Sequence, residues 1–270
     1  MNCALLIFVA LSNTAARDAN PLIRTQEGDM PILISAPHGG SKAIPGCNVR
    51  TGKGLEKDFT IVQDAYTEQL AMELSAALFK KTGQKPFFVI ASFHRKYVDA
   101  NRPASQGTES EAGKAVYDDY HNAMKKYTKA IGTKFRGGLI LDLHGQATSA
   151  STIFRGTQNG KTLSKMKEKF GEQWVDGSDS FFAKLAQNGM NVHPLGTEKE
   201  NPKFGGGFIV RTYSGYEFPT DAIQLEFGMN HRKDKAARSK TIQAMIPIIA
   251  EFAKKYLNLE KNSTFNIAKN

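Results

Sequence analysis

The sequence predicts an α/β protein with three layers, in which helices cover both faces of a mixed, mostly parallel central sheet. Short apolar runs, rich in β-branched and aromatic residues, alternate along the chain with longer segments of helical periodicity. Most of these runs are apolar almost throughout, which is typical of parallel strands buried on both sides. A βαβα order of this kind favours an open sheet between two layers of helices.

Five runs are predicted strands, and four longer segments are predicted helices. The strands are 31–36, 86–93, 138–143, 208–213 and 222–227. The helices are 61–81, about 111–131, 179–187 and 234–256. Gly83 stands just past the first helix, at a position where glycine commonly ends a helix.

Composition and length are those of a folded globular chain. The 270 residues are 40% hydrophobic and 23% charged, which excludes a disordered chain and suffices for a substantial core. No repeat, low-complexity tract or linker divides the sequence, so residues 17–270 are expected to form a single domain. The net charge is +10, but lysines and arginines are dispersed among acids. We therefore expect no nucleic-acid partner, while small anionic substrates remain compatible with the charge.

Residues 1–16 resemble a secretory signal peptide. An apolar run at 4–11 precedes small residues at 14–16, although the usual basic residues are missing at the start. A buried N-terminal strand and an incorrectly assigned start codon are the alternatives. The run is too short to span a bilayer, so stable membrane insertion is not expected. A signal predicts a secreted or periplasmic protein, and its absence a cytoplasmic one.

Three of the six histidines directly follow predicted strands, where open α/β sheets bind their ligands. They are His38, His94 and His144. Neutral imidazole is the usual zinc ligand, and a hydrolytic zinc site generally takes three protein ligands. His38 and His144 are flanked by glycines, which let a ligand approach the backbone. They are candidates for two of the ligands, the alternative being hydrogen-bonded turn residues.

The third ligand is expected to be a carboxylate, and Asp64 is the first candidate. It begins an inward-facing stripe of the first predicted helix: Asp64, Thr67, Ala71, Leu74 and Leu78. A buried carboxylate requires a cation, strong donors or solvent in a cleft. Glu56 and Asp58 in the preceding loop are rival ligands, and an acid favoured by the helix dipole is the simpler alternative for Asp64.

Glu226 is a second unusual carboxylate, because it interrupts a strand that otherwise packs Leu225 and Phe227. In a metal hydrolase such a group can take a proton from water and pass it to the leaving nitrogen. An edge residue or half of an ion pair is the alternative. Asp142, two residues before His144, is on the same strand face and is a candidate for orienting that histidine.

Five motifs in order, "APHGG", "QDAYTEQL", "FHRKYVDANRP", "LDLHGQ" and "IQLEFG", resemble the N-formylglutamate amidohydrolase-like family. The resemblance extends from about Met30 to Arg232 and is more distantly shared with the zinc carboxypeptidase and aspartoacylase fold. It implies a hydrolase of the phosphorylase/hydrolase-like, zinc-carboxypeptidase-like class. Such an enzyme holds one Zn2+ and cleaves the amide C–N bond of an N-acylated amino acid or small peptide-like substrate.

Carried onto this chain, the resemblance implies a role for each matching residue. His38, Asp64 and His144 would bind zinc, and Glu226 would be the general base. Asn101 and Arg102 would hold a substrate carboxylate or the scissile carbonyl, a catalytic task for Arg102 that suits a guanidinium fork. Arg95 and Arg211 are further candidates for anion binding, with surface or ion-pair arginines as the alternative.

The chain departs from the zinc carboxypeptidase pattern at Ser41, where those enzymes have a glutamate three positions after the first histidine. This departure keeps Asp64 in competition with Asp58 and Glu56. Two other functions stay open at this point. One is a carboxypeptidase-like metallopeptidase, and the other is a non-catalytic binder of anionic ligands.

Overall fold

A computed structural model describes residues 20–53, 59–215 and 217–267, with side chains up to residue 257. The strands are β1 (Ile23–Gln26), β2 (Ile32–Ala36), β3 (Phe87–Ala91), β4 (Gly138–Gly145), β5 (Thr152–Gly156), β6 (Asn191–His193) and β7 (Thr220–Phe227). The helices are α1 (Thr67–Thr82), α2 (Ala104–Gly107), α3 (Glu111–Phe135), α4 (Ser164–Phe170), α5 (Phe181–Gln187), α6 (Phe208–Thr212) and α7 (Lys235–Ile267). The predicted signal at 1–16 and the rival ligands Glu56 and Asp58 lie outside the described residues.

The seven strands form one mixed sheet in the order β1-β3-β2-β4-β7-β5-β6. Its centre, β3-β2-β4-β7, is parallel throughout, while β1 and β5 run antiparallel to their inner neighbours. β6 is parallel to β5. The carboxyl ends of β2, β3, β4 and β7 therefore meet at one edge of the sheet, where a ligand crevice is expected.

Helices cover both faces of the sheet, and the side chains of β4 show how the two cores are separated. Leu139, Leu141 and Leu143 pack with α1 and α7 on one face, and Ile140 packs with α3 and α6 on the other. Because side chains alternate along a strand, His144 lies on the face of α3. This arrangement confirms the predicted three-layer α/β/α fold.

The predicted strand at 208–213 is wrong, because this segment forms helix α6. Ile209, Val210 and Tyr213 are buried, a spacing that suits one face of a helix. Long-range hydrogen bonds also hold its first turn, since Asn101 Oδ1 accepts from the Ile209 amide at 2.8 Å. Tertiary contacts thus override the β propensity of these residues.

The first predicted helix begins later than expected, at Thr67 rather than at residue 61. Tyr66 has a φ of 70°, in the left-handed region that a right-handed helix does not include. Asp64 therefore lies in the turn before α1, not on the helix itself, although it is buried as expected. Gly83 ends the helix as predicted, with a φ of 73°.

Within the described part of the chain, no helix combines the length and apolar character needed to cross a membrane.

Candidate active site

His38, Asp64 and His144 form a buried group that could hold a metal ion, with one ligand atom from each lying within 4.8 Å of the others. Asp64 Oδ2 lies 3.3 Å from Nδ1 of His38 and 3.1 Å from Nδ1 of His144. The two imidazole rings meet edge to face, with centroids 4.8 Å apart. Three residues that are far apart in the sequence thus present two nitrogens and one oxygen to a common point.

Tight backbone packing after β2 fixes the position of His38. A Cβ on Gly39 would lie 2.3 Å from the amide nitrogen of Glu68 in α1, and a Cβ on Gly40 would lie 2.2 Å from the carbonyl carbon of Ser92. Only glycine permits this close approach on both sides. The carbonyl of His38 also accepts a hydrogen bond from the Asp64 amide at 3.0 Å, which ties two members of the metal group together.

A carboxylate stands behind each histidine. His38 Nε2–H donates to Asp99 Oδ1 at 2.6 Å, and His144 Nε2–H donates to Asp142 Oδ2 at 2.9 Å. Carboxylates of this kind fix the ring orientation of a metal-binding histidine and place the proton on the outer nitrogen. Asp142 therefore lies where its sequence position predicted, whereas Asp99 was not among the predicted site residues.

The hydrogen-bond pattern shows that the donor set fits a metal ion. Because Asp99 and Asp142 accept from the two Nε2 atoms, the two Nδ1 atoms face the Asp64 carboxylate. Such a set requires a cation, either as protons on the imidazoles or as a metal. Two imidazole nitrogens and a carboxylate oxygen suit Zn2+ and other divalent ions that accept nitrogen and oxygen ligands.

The charges of the group stabilise one another strongly. Burial alone would raise the pKa of Asp64, but hydrogen bonds from His144 and His38 outweigh this effect and hold the pKa below its ordinary value. Burial would lower the pKa of His144, but Asp142 and Asp64 raise it well above its usual range. The pocket thus keeps Asp64 ionised, as a metal ligand must be.

Glu226 lies beside this group on the neighbouring strand. In the β4–β7 ladder its partner is His144, and only 8% of the residue is exposed. Gln224 Nε2 donates to its Oε1 at 3.0 Å. Burial raises the pKa of Glu226 to about 7, and the charge of Asp64 adds to this effect. A carboxyl group with such a pKa can both accept and return a proton near neutral pH.

A cavity of about 650 Å³ opens over the metal group. Its walls bring together all eight predicted site residues: His38, Asp64, Arg95, Asn101, Arg102, His144, Arg211 and Glu226. Shared lining of one cavity shows that the sequence motifs converge in space. The role of each residue stays a prediction.

Two polar residues after β3, Arg95 and Asn101, line the cavity and also contact other protein groups. Arg95 Nε and Nη2 each lie 2.9 Å from Asp99 Oδ2, and its Nη1 lies 3.8 Å from Asp64 Oδ1. This guanidinium is therefore an ion-pair partner of the metal group, the alternative noted for it from the sequence. Asn101 holds the start of α6 and contacts Gln224 Oε1 at 3.4 Å. Substrate binding by either residue stays a prediction.

Sequence reasoning missed Asp99, Gln224 and Arg232, all of which are buried at the site. Asp99 lies in the motif "YVDANRP" and Gln224 two residues before Glu226, so proximity to predicted site residues was the available signal. Arg232 donates to the carbonyls of Ala65 and Phe227, the latter at 3.0 Å. No local pattern indicates such long-range contacts.

The sequence matches no family model, and no curated protein matches it. Among solved structures, it is similar to the crystal structure of N-formylglutamate amidohydrolase from Ralstonia eutropha JMP134, with a TM-score of 0.57 and 12% sequence identity. The match covers 86% of this chain and 98% of that chain. The chain has the fold of this amidohydrolase.

A gene product from Agrobacterium tumefaciens is similar to the same extent, with a TM-score of 0.56, 13% identity, and coverage of 89% of this chain and 96% of that chain. The likeness to N-formylglutamate amidohydrolase that the motifs indicated is thereby confirmed at the level of the fold. Identities this low do not carry activity or substrate from one protein to another.

Proposed function

We propose that this protein is a zinc-dependent hydrolase that cleaves the amide C–N bond of N-acylated amino acids or small peptide-like substrates. The observation that carries the proposal is the convergence of two histidine Nδ1 atoms and the Asp64 carboxylate, each histidine backed by an aspartate. The fold shared with N-formylglutamate amidohydrolase supports the same reaction class.

His38, Asp64 and His144 would hold the metal ion. When bound there, Zn2+ lowers the pKa of a water molecule and polarises the carbonyl of the scissile amide. Asp99 and Asp142 keep the two imidazoles in the orientation and tautomer that binding requires. With three protein ligands, a bound zinc ion would keep a position for water or substrate, as in catalytic zinc sites.

Glu226 would act as the general base. It lines the cavity and is the strand partner of His144. Its carboxylate takes the proton from the attacking water and returns it to the leaving nitrogen, so that the amine departs neutral. The hydrogen bond from Gln224 holds one of its oxygens in place during both steps.

Arg102 and Arg211 would bind the carboxylate of the amino-acid part. Both line the cavity, and a guanidinium group recognises a carboxylate through two parallel hydrogen bonds. Binding the carboxylate there would orient the amide over the metal group and lower the entropic cost of reaching the transition state.

The experiment is a metal analysis of the purified protein, followed by an assay of N-formyl-, N-acetyl- and longer N-acyl-glutamates with and without a chelator. We expect about one zinc ion per chain, activity lost on chelation, and recovery with added Zn2+. His38→Ala should abolish both metal binding and activity, since it removes one of three ligands. His94→Ala is the matched control, because His94 also follows a strand but lies outside the metal group and the cavity.

Full activity of metal-free protein, or of His38→Ala, would overturn the zinc assignment. Glu226→Gln tests the base separately. This variant should keep its metal and lose at least about a hundredfold in kcat. Retention of most of kcat would remove Glu226 from the mechanism but leave the metal site standing.

A further inference from the structure

Cations and apolar side chains both line the cavity over the metal group. Three of the cations, Arg102, Lys203 and Arg211, are here called the basic wall. Four apolar residues, Val62, Ala65, Ala147 and Met229, are here called the apolar rim. Arg211 lies on α6, whereas Ala65 and Met229 lie next to α1 and α7, which cover the other face of the sheet.

The basic wall belongs to the face covered by α3 and α6. Arg211 is exposed on α6, whose neighbours Ile209 and Val210 pack into the core of that face. Among the residues that the structure describes, no hydrogen bond or ion pair engages the Arg211 side chain. Its charge is therefore available to an anionic ligand.

The apolar rim belongs to the face covered by α1 and α7. Ala65 lies just before α1, and Met229 lies in a short 3-10 helix before α7. Val62 is 70% exposed and Met229 is 37% exposed, although both side chains are large and apolar. Apolar side chains exposed at the edge of a cavity commonly mark the contact surface of a ligand.

The side chain of Arg232 connects the segments that carry the apolar rim. Its guanidinium donates to the carbonyls of Phe227 at 3.0 Å and Gln146 at 3.3 Å, and also to that of Ala65. Gly145 permits this, because a Cβ there would lie 2.6 Å from Arg232 Cζ. One buried cation thus joins the three segments that carry the rim, and its donors are directed to protein carbonyls.

The metal group lines the same cavity, so a substrate whose amide is bound there has both the basic wall and the apolar rim within that cavity. The cavity of about 650 Å³ is far larger than a formyl group requires. A substrate that fills it carries a substantial group on both sides of the scissile bond.

We infer that the substrates are N-acyl amino acids or peptides whose acyl group is apolar and longer than formyl or acetyl. The acyl chain lies on the apolar rim and the amino-acid carboxylate on the basic wall. This inference rests on the proposed amide hydrolysis and names its substrate class.

The test is a series of N-formyl-, N-acetyl-, N-butanoyl-, N-hexanoyl- and N-octanoyl-L-glutamate. We expect kcat/KM to rise by roughly twofold to fourfold per added methylene, as for partial to full burial of the chain. A flat or falling series would overturn the inference. N-octanoyl-leucinamide has no carboxylate for the basic wall to bind. Faster hydrolysis of this compound than of any N-acylglutamate would also overturn the inference.

A second test uses variants of the apolar rim. Val62→Ser and Met229→Ser should each reduce the ratio of octanoyl to formyl activity by about threefold or more, while activity on N-formylglutamate is retained. The matched controls are Val49→Ser and Met72→Ser, which remove side chains of the same types, 43% and 39% exposed, outside the cavity. Equal effects in rim and control variants would contradict the inference.

Binding separates this inference from the proposed function. Calorimetry with the zinc-loaded Glu226→Gln variant should show tighter binding of N-octanoyl- than of N-formylglutamate by at least tenfold. If no compound is hydrolysed by the wild type, the proposed function fails, while the binding ratio still decides the inference. Equal affinities would overturn the inference even if hydrolysis is observed.

Discussion

The two histidines of the metal group differ in how their partner aspartates are held. Asp99, behind His38, is paired with Arg95 at 2.9 Å, and Arg50 Nη2 lies 3.7 Å away. Burial would raise the pKa of Asp99, but the charges of His38 and Arg95 hold it well below its usual range. Asp142, behind His144, has a buried second oxygen, Oδ1, without a hydrogen-bond partner among the described residues. The aspartate that contacts His38 is therefore more strongly stabilised as an anion than the one that contacts His144.

Asp99→Asn is expected to weaken zinc binding. The neutral amide is a weaker acceptor for His38 Nε2–H, so the imidazole becomes a poorer ligand, and affinity should fall by roughly tenfold to a hundredfold. A competition titration with a coloured chelator measures this. Asp118→Asn, an exposed aspartate on α3, is the control. Unchanged affinity in Asp99→Asn would show that this aspartate does not support a metal ligand.

Arg211→Gln tests the basic wall at an exposed residue. Loss of a charge-assisted hydrogen bond to the substrate carboxylate should raise KM by about tenfold with little change in kcat. The effect should vanish for a substrate whose carboxylate is amidated. Arg24→Gln is the matched control, since Arg24 is exposed and pairs with Glu68 outside the cavity. An equal KM increase for charged and amidated substrates would contradict the assignment.

At the scale of elements, α3 supports the segment that follows β3. His121 Nε2–H donates to the carbonyl of Ala100 at 3.0 Å, between Asp99 and Asn101. Its Nδ1 accepts from the Tyr213 hydroxyl at 2.7 Å. The buried histidine thus connects α3, the segment carrying Asp99 and the end of α6. Burial lowers the pKa of His121 to about 4, so it is neutral in the folded protein near neutral pH.

This pKa predicts a loss of stability in acid. The unfolded chain protonates the histidine near pH 6.5, while the folded protein resists protonation down to about pH 4. Folded stability is therefore complete above about pH 6.5 and falls as the pH drops to 4, by on the order of 3 kcal/mol from this group. Denaturant unfolding between pH 7 and 4 should show a shallower fall in His121→Gln. The exposed His193→Gln should follow the wild type, and identical curves for all three proteins would contradict the prediction.

Helix α6 shows why local pattern fails for some elements. Its sequence, "FIVRT", is rich in β-prone residues, yet the turn that begins it is held because its amides donate to the side-chain oxygens of Asn101 and Gln224. These partners are remote in the sequence, so no window of neighbouring residues contains the information. β2, β3, β4 and β7 were predictable because continuous apolar runs reflect burial on both faces. β1, β5 and β6 were missed, and the short segments "IRTQ" and "NVH" become strands through pairing at the sheet edges.

At the scale of the whole molecule, metal binding and folding should be linked. An ion held by residues from three separate segments binds the folded state and stabilises it by mass action. At about a thousandfold excess over Kd, Zn2+ should raise the Tm of chelator-treated protein by roughly 8 °C. Differential scanning calorimetry measures this. His94→Ala should show the same rise and His144→Ala none, whereas a zinc-induced rise in His144→Ala would place the ion elsewhere.

The sequence predicted the residues of the metal group but not the aspartate that holds His38. His38, Asp64 and His144 were predictable because each is a polar residue next to a buried run and within a recognisable motif. Asp99 was not, because its bond to His38 spans 61 residues. The single-domain boundary at 17–270 and an extracytoplasmic location stay predictions, since both depend on residues 1–16.

The pairing of β4 with β7 places Glu226 beside His144, and this register has a consequence for how the protein matures. Side chains alternate with a period of two, so a slip of one residue would turn the carboxylate toward the α1 and α7 face and set Leu225 or Phe227 beside the histidine. Two strands whose paired residues are 82 positions apart in the sequence must therefore pair in this one register before Glu226 can act as a base. A protein with the slipped register would keep the three layers of the fold but would have no hydrolytic activity.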